Sequence, residues 1–420
     1  MPPKVYKWAE GVPLEDHTAK KLSVLRSYFR SYLRVRCTPI NRKFKISIVD
    51  GFAGGGIYEC GTSGSPLVFL EELAAFSDET KIWRKENNVP ELEGIDCLFV
   101  VNETDPKAIA TLNPLLDHWE ALNKANGRKL NVSILRKQGP FINVYPEVRS
   151  LLLDYRFSNV LFNIDPCGYT QVNLPIIQDI LASFKSAEVF FTFMIGSLFN
   201  YSSWMNPERT NRLMLKFCGT QEQFFRDESF RKKAEWLGAV EKIVYHEFIR
   251  TARFASPFAV NQNGNTGYNY WLMHFANSHR AREVYNDILY KNTGVQAHRG
   301  KSGLKMLGYT SSDSRVRTFD WGADLRSENL ISLRDDLPRA ISEFGDAVAI
   351  QTLKASIYNE TTSHSDDIKS VLIDHTDIEV LTKSGGKRRS PGSISDDDIV
   401  RLNDQRQLFP ILKTQKKPKS

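Results

Sequence analysis

Cysteine is scarce and unpatterned in this chain. Five occur among 420 residues, at positions 37, 60, 97, 167 and 218, and no two form a C-x-x-C pair. That excludes a zinc ribbon and a disulfide-built scaffold, and predicts reduced thiols in a cytoplasmic protein. Long apolar runs are lacking too. The longest, Val189 to Phe199, is broken by Thr192, Gly196 and Ser197, so no membrane association is expected. The first residues carry no apolar core of signal-peptide type. No metal site is expected either: His274 and His279 lack partners at ligand spacing and read as structural. A carboxylate cluster for two-metal nuclease chemistry is missing. Neither sign of charge is scarce, but 56 Lys and Arg outnumber 49 Asp and Glu, giving a net charge of +7. That excess permits a nucleic-acid partner.

What is present centres on Ile48-Val-Asp-Gly-Phe-Ala-Gly-Gly-Gly-Ile57. Before it, Phe44, Ile46 and Ile48 alternate with Lys45 and Ser47, which predicts a strand ending in Asp50. After it, an apolar helix pattern begins near Ser65. Strand, tight turn and helix is where an open α/β sheet places a nucleotide-like cofactor. Gly54, Gly55 and Gly56 permit close backbone approach and positive φ. The spacing is not G-x-G-x-x-G, so a dinucleotide fingerprint fits poorly. Asp50-x-Phe52-Ala53-Gly54-x-Gly56 resembles the first motif of class I S-adenosylmethionine (SAM) methyltransferases. The plain alternative is a glycine turn capping a buried strand.

Two further strands end in acids. Leu98-Phe-Val-Val-Asn-Glu103 and Asn159-Val-Leu-Phe-Asn-Ile-Asp165 follow in order, and three such ends are much less expected by chance than one. The second continues as Pro166-Cys167-Gly168-Tyr169, which resembles the fourth motif of amino-methyltransferases. A carboxylate and a proline-fixed carbonyl there accept an amine's hydrogens and aim its lone pair, which is mostly positioning. An aromatic ring can stack on a base. Cys167-Gly168 departs from the usual second proline. Asp165, Pro166 and Tyr169 are therefore the candidate catalytic residues. The resemblance implies cofactor contacts from Asp50, Phe52, Ala53, Gly54 and Gly56, ribose contacts from Glu103, and an adenine-edge contact from Gln138, which ends the strand begun at Leu130.

Asp16-His17-Thr18 with Lys20 and Lys21, Gly64-Ser-Pro66, Asn102-Glu103 and Tyr270-Trp-Leu-Met-His-Phe-Ala-Asn277 complete an ordered set. Together these motifs resemble the three-Cys-motif partner protein family, TcmP, over roughly residues 15 to 410. The resemblance implies a bacterial or phage setting, SAM as cofactor, and a three-cysteine radical-SAM-like protein as partner. It supplies no substrate.

The implied fold class is α/β. Residues 1–43 read as an amphipathic helical segment, with Glu15 to Val35 helical. Residues 44–293 read as a Rossmann-like methyltransferase domain with a polar insertion at Ser77 to Glu93 and a helical insertion at about 205–260. Residues 294–328 read as a linker, 329–411 as a winged-helix-like domain and 412–420 as a basic tail. In the first helix, Leu22, Leu25, Phe29 and Leu33 form one face and Lys20, Lys21, Arg26, Arg30, Arg34 and Arg36 another. In the winged-helix-like domain the third helix carries Asp366 and Asp367, against simple groove insertion. Lys387, Arg388 and Arg389 on its hairpin are the candidate nucleic-acid contacts.

Two classes of function stay open. One is a SAM-dependent methyltransferase acting on a nucleic-acid nitrogen. The other is a non-catalytic methyltransferase-fold partner that binds SAM or nucleic acid and presents substrate to the three-cysteine protein. Fold alone does not separate them.

Overall fold

The computed structural model describes residues 6–37, 43–166, 171–196, 198, 207–218, 233–261, 268–291, 302–306 and 323–403. The chain divides into two units, residues 1–299 with 309–321, and residues 300–308 with 322–420.

Among the described residues, the first unit is built on seven strands. They are β1 (Lys43–Asp50), β2 (Gly94–Glu103), β3 (Leu130–Gln138), β4 (Asn159–Ile164), β5 (Ser186–Phe193), β6 (Phe254–Asn261) and β7 (Tyr268–Ala276). Their order is β3-β2-β1-β4-β5-β7-β6. The pairs among β1 to β5 are parallel, and β7 runs antiparallel to both β5 and β6. A mostly parallel sheet with one reversed strand and helices on both faces makes this a Rossmann-like α/β fold.

Both faces of the sheet are buried, because side chains alternate along each strand. Phe162, Phe191, Phe193 and Met273 join one core with α4 (Phe141–Asp154), α5 (Leu174–Ser183), α6 (Pro207–Cys218) and α7 (Lys233–Thr251). Ile46, Ile48, Phe99 and Phe190 join the other with α1 (Asp16–Arg36), α2 (Ser65–Glu86), α3 (Pro106–Ala125) and α8 (His279–Lys291). Asp105 caps α3 by accepting from Lys107 N at 3.0 Å, with Pro106 in the first turn. No helix among the described residues is long and apolar enough to cross a membrane.

Three segments differ from the sequence reading. The polar stretch from Ser77 belongs largely to α2, which continues to Glu86. Thr80 and Arg84 extend the buried stripe of Phe76 at four-residue spacing. Arg84 tolerates burial because it donates to Pro90 O at 2.6 Å and Cys37 O at 3.4 Å. The helical insertion ends at Thr251, and Phe254–Asn261 forms the edge strand β6. Three arginines of the basic face of α1 pair with glutamates of α2. Arg26 pairs with Glu71 and Glu72, Arg30 with Glu72 and Glu79, and Arg34 with Glu79, at 2.6–3.5 Å. Glu72 is 2% exposed, so the two arginines holding it are structural ligands of a buried carboxylate.

A buried polar group also joins α1 to β5 and β7. Tyr28 Oη donates to Glu188 Oε2, and His274 Nε2 lies 3.3 Å from the same oxygen. The His274 ring packs on Tyr28, Phe190 and Tyr285, and burial lowers its pKa.

The second unit has α9 (Ala323–Ser342), β8 (Ala347–Ala349), α10 (Ile350–Ile357), α11 (Ser365–Asp374), β9 (Ile378–Leu381) and β10 (Ile399–Leu402). The strands form an antiparallel sheet, β8-β10-β9. Leu333, Leu337, Ile341, Leu353, Ile368, Val371 and Val380 fill its core. Residues 302–306, read from sequence as linker, belong to this unit. Gly303 N donates to the buried Asn329 side chain at 2.9 Å, and Thr361 Oγ1 donates to Gly303 O at 2.7 Å. Gly303 adopts φ +92°, and a Cβ there would lie 2.4 Å from Asp336, so only glycine fits.

At the hairpin between β9 and β10, Arg388 is committed. Its Nε and Nη2 bond both oxygens of Asp398 at 2.9 and 3.0 Å, and Asp398 is 2% exposed. Lys387 pairs with Glu379 at 3.0 Å but is exposed, as is Arg389. Arg388→Ala is therefore expected to lower the melting temperature of the second unit, while Lys387→Ala with Arg389→Ala leaves it unchanged. Equal melting of both variants in a thermal scan would remove the structural role of Arg388.

Candidate functional site

A cleft of about 600 Å³ opens over the carboxyl ends of β1, β2, β4 and β5. It stands where the strand order reverses between β1 and β4, the position at which doubly wound sheets bind ligands. A shallower hollow of about 370 Å³ lies at the opposite ends of β2 and β3, among Glu93, Asp96, Lys129 and Asn131. It lacks the convergence of strand ends that marks the larger cleft.

Glu103 anchors one side. Its Oε2 accepts Gly54 N at 2.8 Å, and its Oε1 accepts Thr104 N at 2.7 Å and Asp105 N at 3.0 Å. A carboxylate offers roughly four acceptor positions. Three are filled by main chain, and the remaining one is on Oε2. Asn102 ties the same region together, donating to Gly51 O and Gly139 O at 3.0 Å each.

The glycine turn is tightly covered, and not by open space. A Cβ on Gly54 or Gly55 would lie 2.6 Å from the Trp8 ring, and one on Gly56 would lie 2.6 Å from Leu112. Trp8 itself packs on Tyr58, with ring centroids 5.3 Å apart. Close approach to the glycines is thus made by an indole and by α3.

Asp50 lies beneath the turn. It is 0% exposed, its Oδ1 accepts Asn163 Nδ2 at 3.1 Å, and its Oδ2 has no hydrogen-bond partner of good geometry among the described residues. Burial pushes its carboxyl up to about 7, with Ser65, Asn163 and Phe52 N–H opposing and Asp165 adding to the rise.

On the far side of the cleft, Lys21 Nζ donates to Asp165 Oδ2 at 2.6 Å. The ammonium sits 5.6 Å from the centroid of the Tyr270 ring, and His17 packs on that ring at 5.1 Å. Burial, then Asp165 and Glu15, raise the Tyr270 hydroxyl's pKa. That hydroxyl is buried with no hydrogen-bond partner among the described residues.

The structure therefore brings Phe52, Ala53, Gly54, Glu103, Asp165 and Pro166 to one cleft. Asp50, Gly56 and Gln138 do not line it: Asp50 is sealed below, Gly56 serves the α3 contact, and Gln138 is exposed at the end of β3. Tyr169 lies outside the described residues. Sequence reasoning assigned no role to Trp8, Lys21 or Tyr270. Lys21 and Tyr270 stand inside the ordered motifs, which was the available signal, but a separation of 144 residues between Lys21 and Asp165 leaves no pattern to read.

No family model matches the chain, and no curated protein matches it. Among solved structures it is similar to a Klebsiella pneumoniae protein described as an O-methyltransferase, at TM-score 0.27 and 10% identity over 64% of this chain and 92% of that one. It is also similar to a spermidine synthase in complex with the transition-state analogue AdoDATO, at 0.27 and 7% over 76% and 71%. A third likeness is to EvdMO1, at 0.26 and 11% over 66% and 46%. Likenesses this distant say nothing of substrate.

The Asp50 carboxyl gives a pH signature. Its folded value lies above the ordinary 3.8, so the stability it contributes is present below about pH 4 and lost as pH rises through about 7. Relative to wild type, Asp50→Asn is expected to gain up to about 4 kcal/mol in urea unfolding across that window, at 1.36 kcal/mol per pH unit, and to keep that difference without further gain above it. A pH-independent difference between the two proteins would contradict the assignment.

Proposed function

We propose that this chain is a SAM-dependent methyltransferase acting on a nitrogen of a nucleic acid, related to the three-Cys-motif partner proteins and working beside a three-cysteine radical-SAM-like protein. The observation that carries the reading is the placement of Glu103 and Asp165 on one cleft at the switch point of the sheet. The residues fit the cofactor: Glu103 Oε2 keeps an acceptor position suited to a ribose hydroxyl, and Phe52 to Gly54 line the same side. When bound, SAM supplies an electrophilic methyl group on a sulfonium sulfur. The chain's own task is to orient the acceptor, and Asp165 Oδ1 is suited to accept an N–H of that group.

Support for the nucleic-acid acceptor comes from the second unit and from charge. Helix, strand, helix, helix, strand, hairpin and strand is a winged-helix order, with Lys387 and Arg389 on the wing. One observation favours the second reading, a non-catalytic partner: Asp165 is already occupied by Lys21 on one oxygen.

Glu103→Ala is expected to weaken SAM binding by about 1–3 kcal/mol, through loss of charge-assisted hydrogen bonds. Isothermal calorimetry on the purified chain measures this. Absence of SAM or S-adenosylhomocysteine binding by folded wild-type protein at millimolar ligand would end the methyltransferase reading. For nucleic acid, replacing Lys387 and Arg389 together is expected to reduce the slope of log affinity against log salt by about 2 on duplex DNA. An unchanged slope in gel-shift titrations would take the wing out of the interface.

A further inference from the structure

The far side of the cleft contains a cation that the sheet does not supply. Lys21 projects from α1, and among the described residues its ammonium bonds Asp165 and nothing else. It differs from Arg26, Arg30 and Arg34, which reach the glutamates of α2. Its side chain is 15% exposed against 35% for Asp165, so the pair is not a loose surface contact of the kind that contributes little. An ammonium has three donors. One is used on Asp165 Oδ2, and the ring face of Tyr270 stabilises the charge from below. Tyr270 lines the same space through its ring, while its hydroxyl is buried.

We infer that Lys21 is a positioning and specificity-determining residue of the acceptor site. It fixes Asp165 through Oδ2, leaves Oδ1 to accept an N–H of the group to be methylated, and offers a further N–H to an acceptor atom beside that group. This rests on the methyltransferase reading above. The matching chemistry is an amino group on a carbon that also carries a lone-pair nitrogen or oxygen. Such an edge presents one donor to Asp165 and one acceptor to Lys21.

The test compares the full chain with Lys21→Met, Lys21→Arg, Asp165→Asn and the Lys21→Met/Asp165→Asn double variant. Each is assayed for SAM affinity by calorimetry, for melting temperature, and for labelled-methyl transfer from SAM to total RNA and to heat-denatured DNA. Lys21→Met is expected to keep SAM affinity within about threefold and lose kcat about 100-fold, the scale of a misplaced reacting group. Lys21→Arg, which restores the charge, is expected to recover at least about a tenth of wild-type kcat. The double variant is expected to be no slower than the worse single variant, because the pair acts as a unit. Lys21→Gln replaces Lys21→Met in the comparison if the methionine variant melts early. A kcat for Lys21→Met within threefold of wild type overturns the inference. So does loss of SAM affinity at unchanged melting temperature, which would move Lys21 to the cofactor side. Wild-type protein that binds no SAM, or labels neither polymer, overturns the methyltransferase reading itself.

Discussion

Three main-chain N–H groups converge on the carboxylate of Glu103, and the geometry of the cleft follows from that convergence. Gly54 belongs to the turn after β1, while Thr104 and Asp105 begin the turn after β2. One side chain thus clamps the turns after two neighbouring strands, beside the point where the strand order reverses. Hydrogen bonds to a charged acceptor are among the stronger ones available to a protein. Because the donors are backbone atoms, only the Glu103 side chain itself could turn away from them. Asn102 extends the clamp to β3 through Gly139, so the ends of three adjacent strands form one rigid rim.

The other rim is made differently. It comes from α1, a helix outside the strand–helix alternation of the sheet. That helix is held by a buried acid, Glu72, shared between two arginines, and by the apolar row Val24, Tyr28 and Tyr32. Removing one partner from such a group leaves an uncompensated buried charge, so the helix has a strong reason to remain where it is. Lys21 inherits its position from this attachment. The cleft therefore joins a wall fixed by backbone hydrogen bonds to a wall fixed by side-chain ion pairs.

Much of the fold could be read from the sequence, for identifiable reasons. Strands β1, β2 and β4 alternate or run apolar and stop at acids, and β7 is rich in aromatic and apolar residues. Those are local signals. The polar half of α2 is hard to read because Thr80 and Arg84 look solvent-directed, while in the structure both are buried and Arg84 donates to backbone carbonyls. The arginines of α1 were read as one basic face because the sequence does not display which helix lies beside it. In the site, Glu103, Asp165 and the turn Phe52 to Gly54 carry motif character and were legible. Trp8, Lys21 and Tyr270 were not assigned, since their meaning comes from tertiary contacts across the chain. Asp50 was legible as a strand end, but its depth beneath the turn was not.

His274 has a consequence for assembly of the sheet. On β7 it is the one imidazole in a row of Tyr, Trp, Leu, Met and Phe, and it stands opposite Phe190 on β5, two residues along from the position facing Glu188. A slip of β7 by a single residue would carry every side chain to the other face. The hydrophobic residues would tolerate that, because both faces of this sheet are apolar. The imidazole would not, as it would leave Glu188 and Tyr28 and enter a layer lined by phenylalanines. A strand whose greasy side chains cannot tell one face from the other is thus proofread by a single nitrogen, and errors of alignment at this reversed strand are penalised during folding.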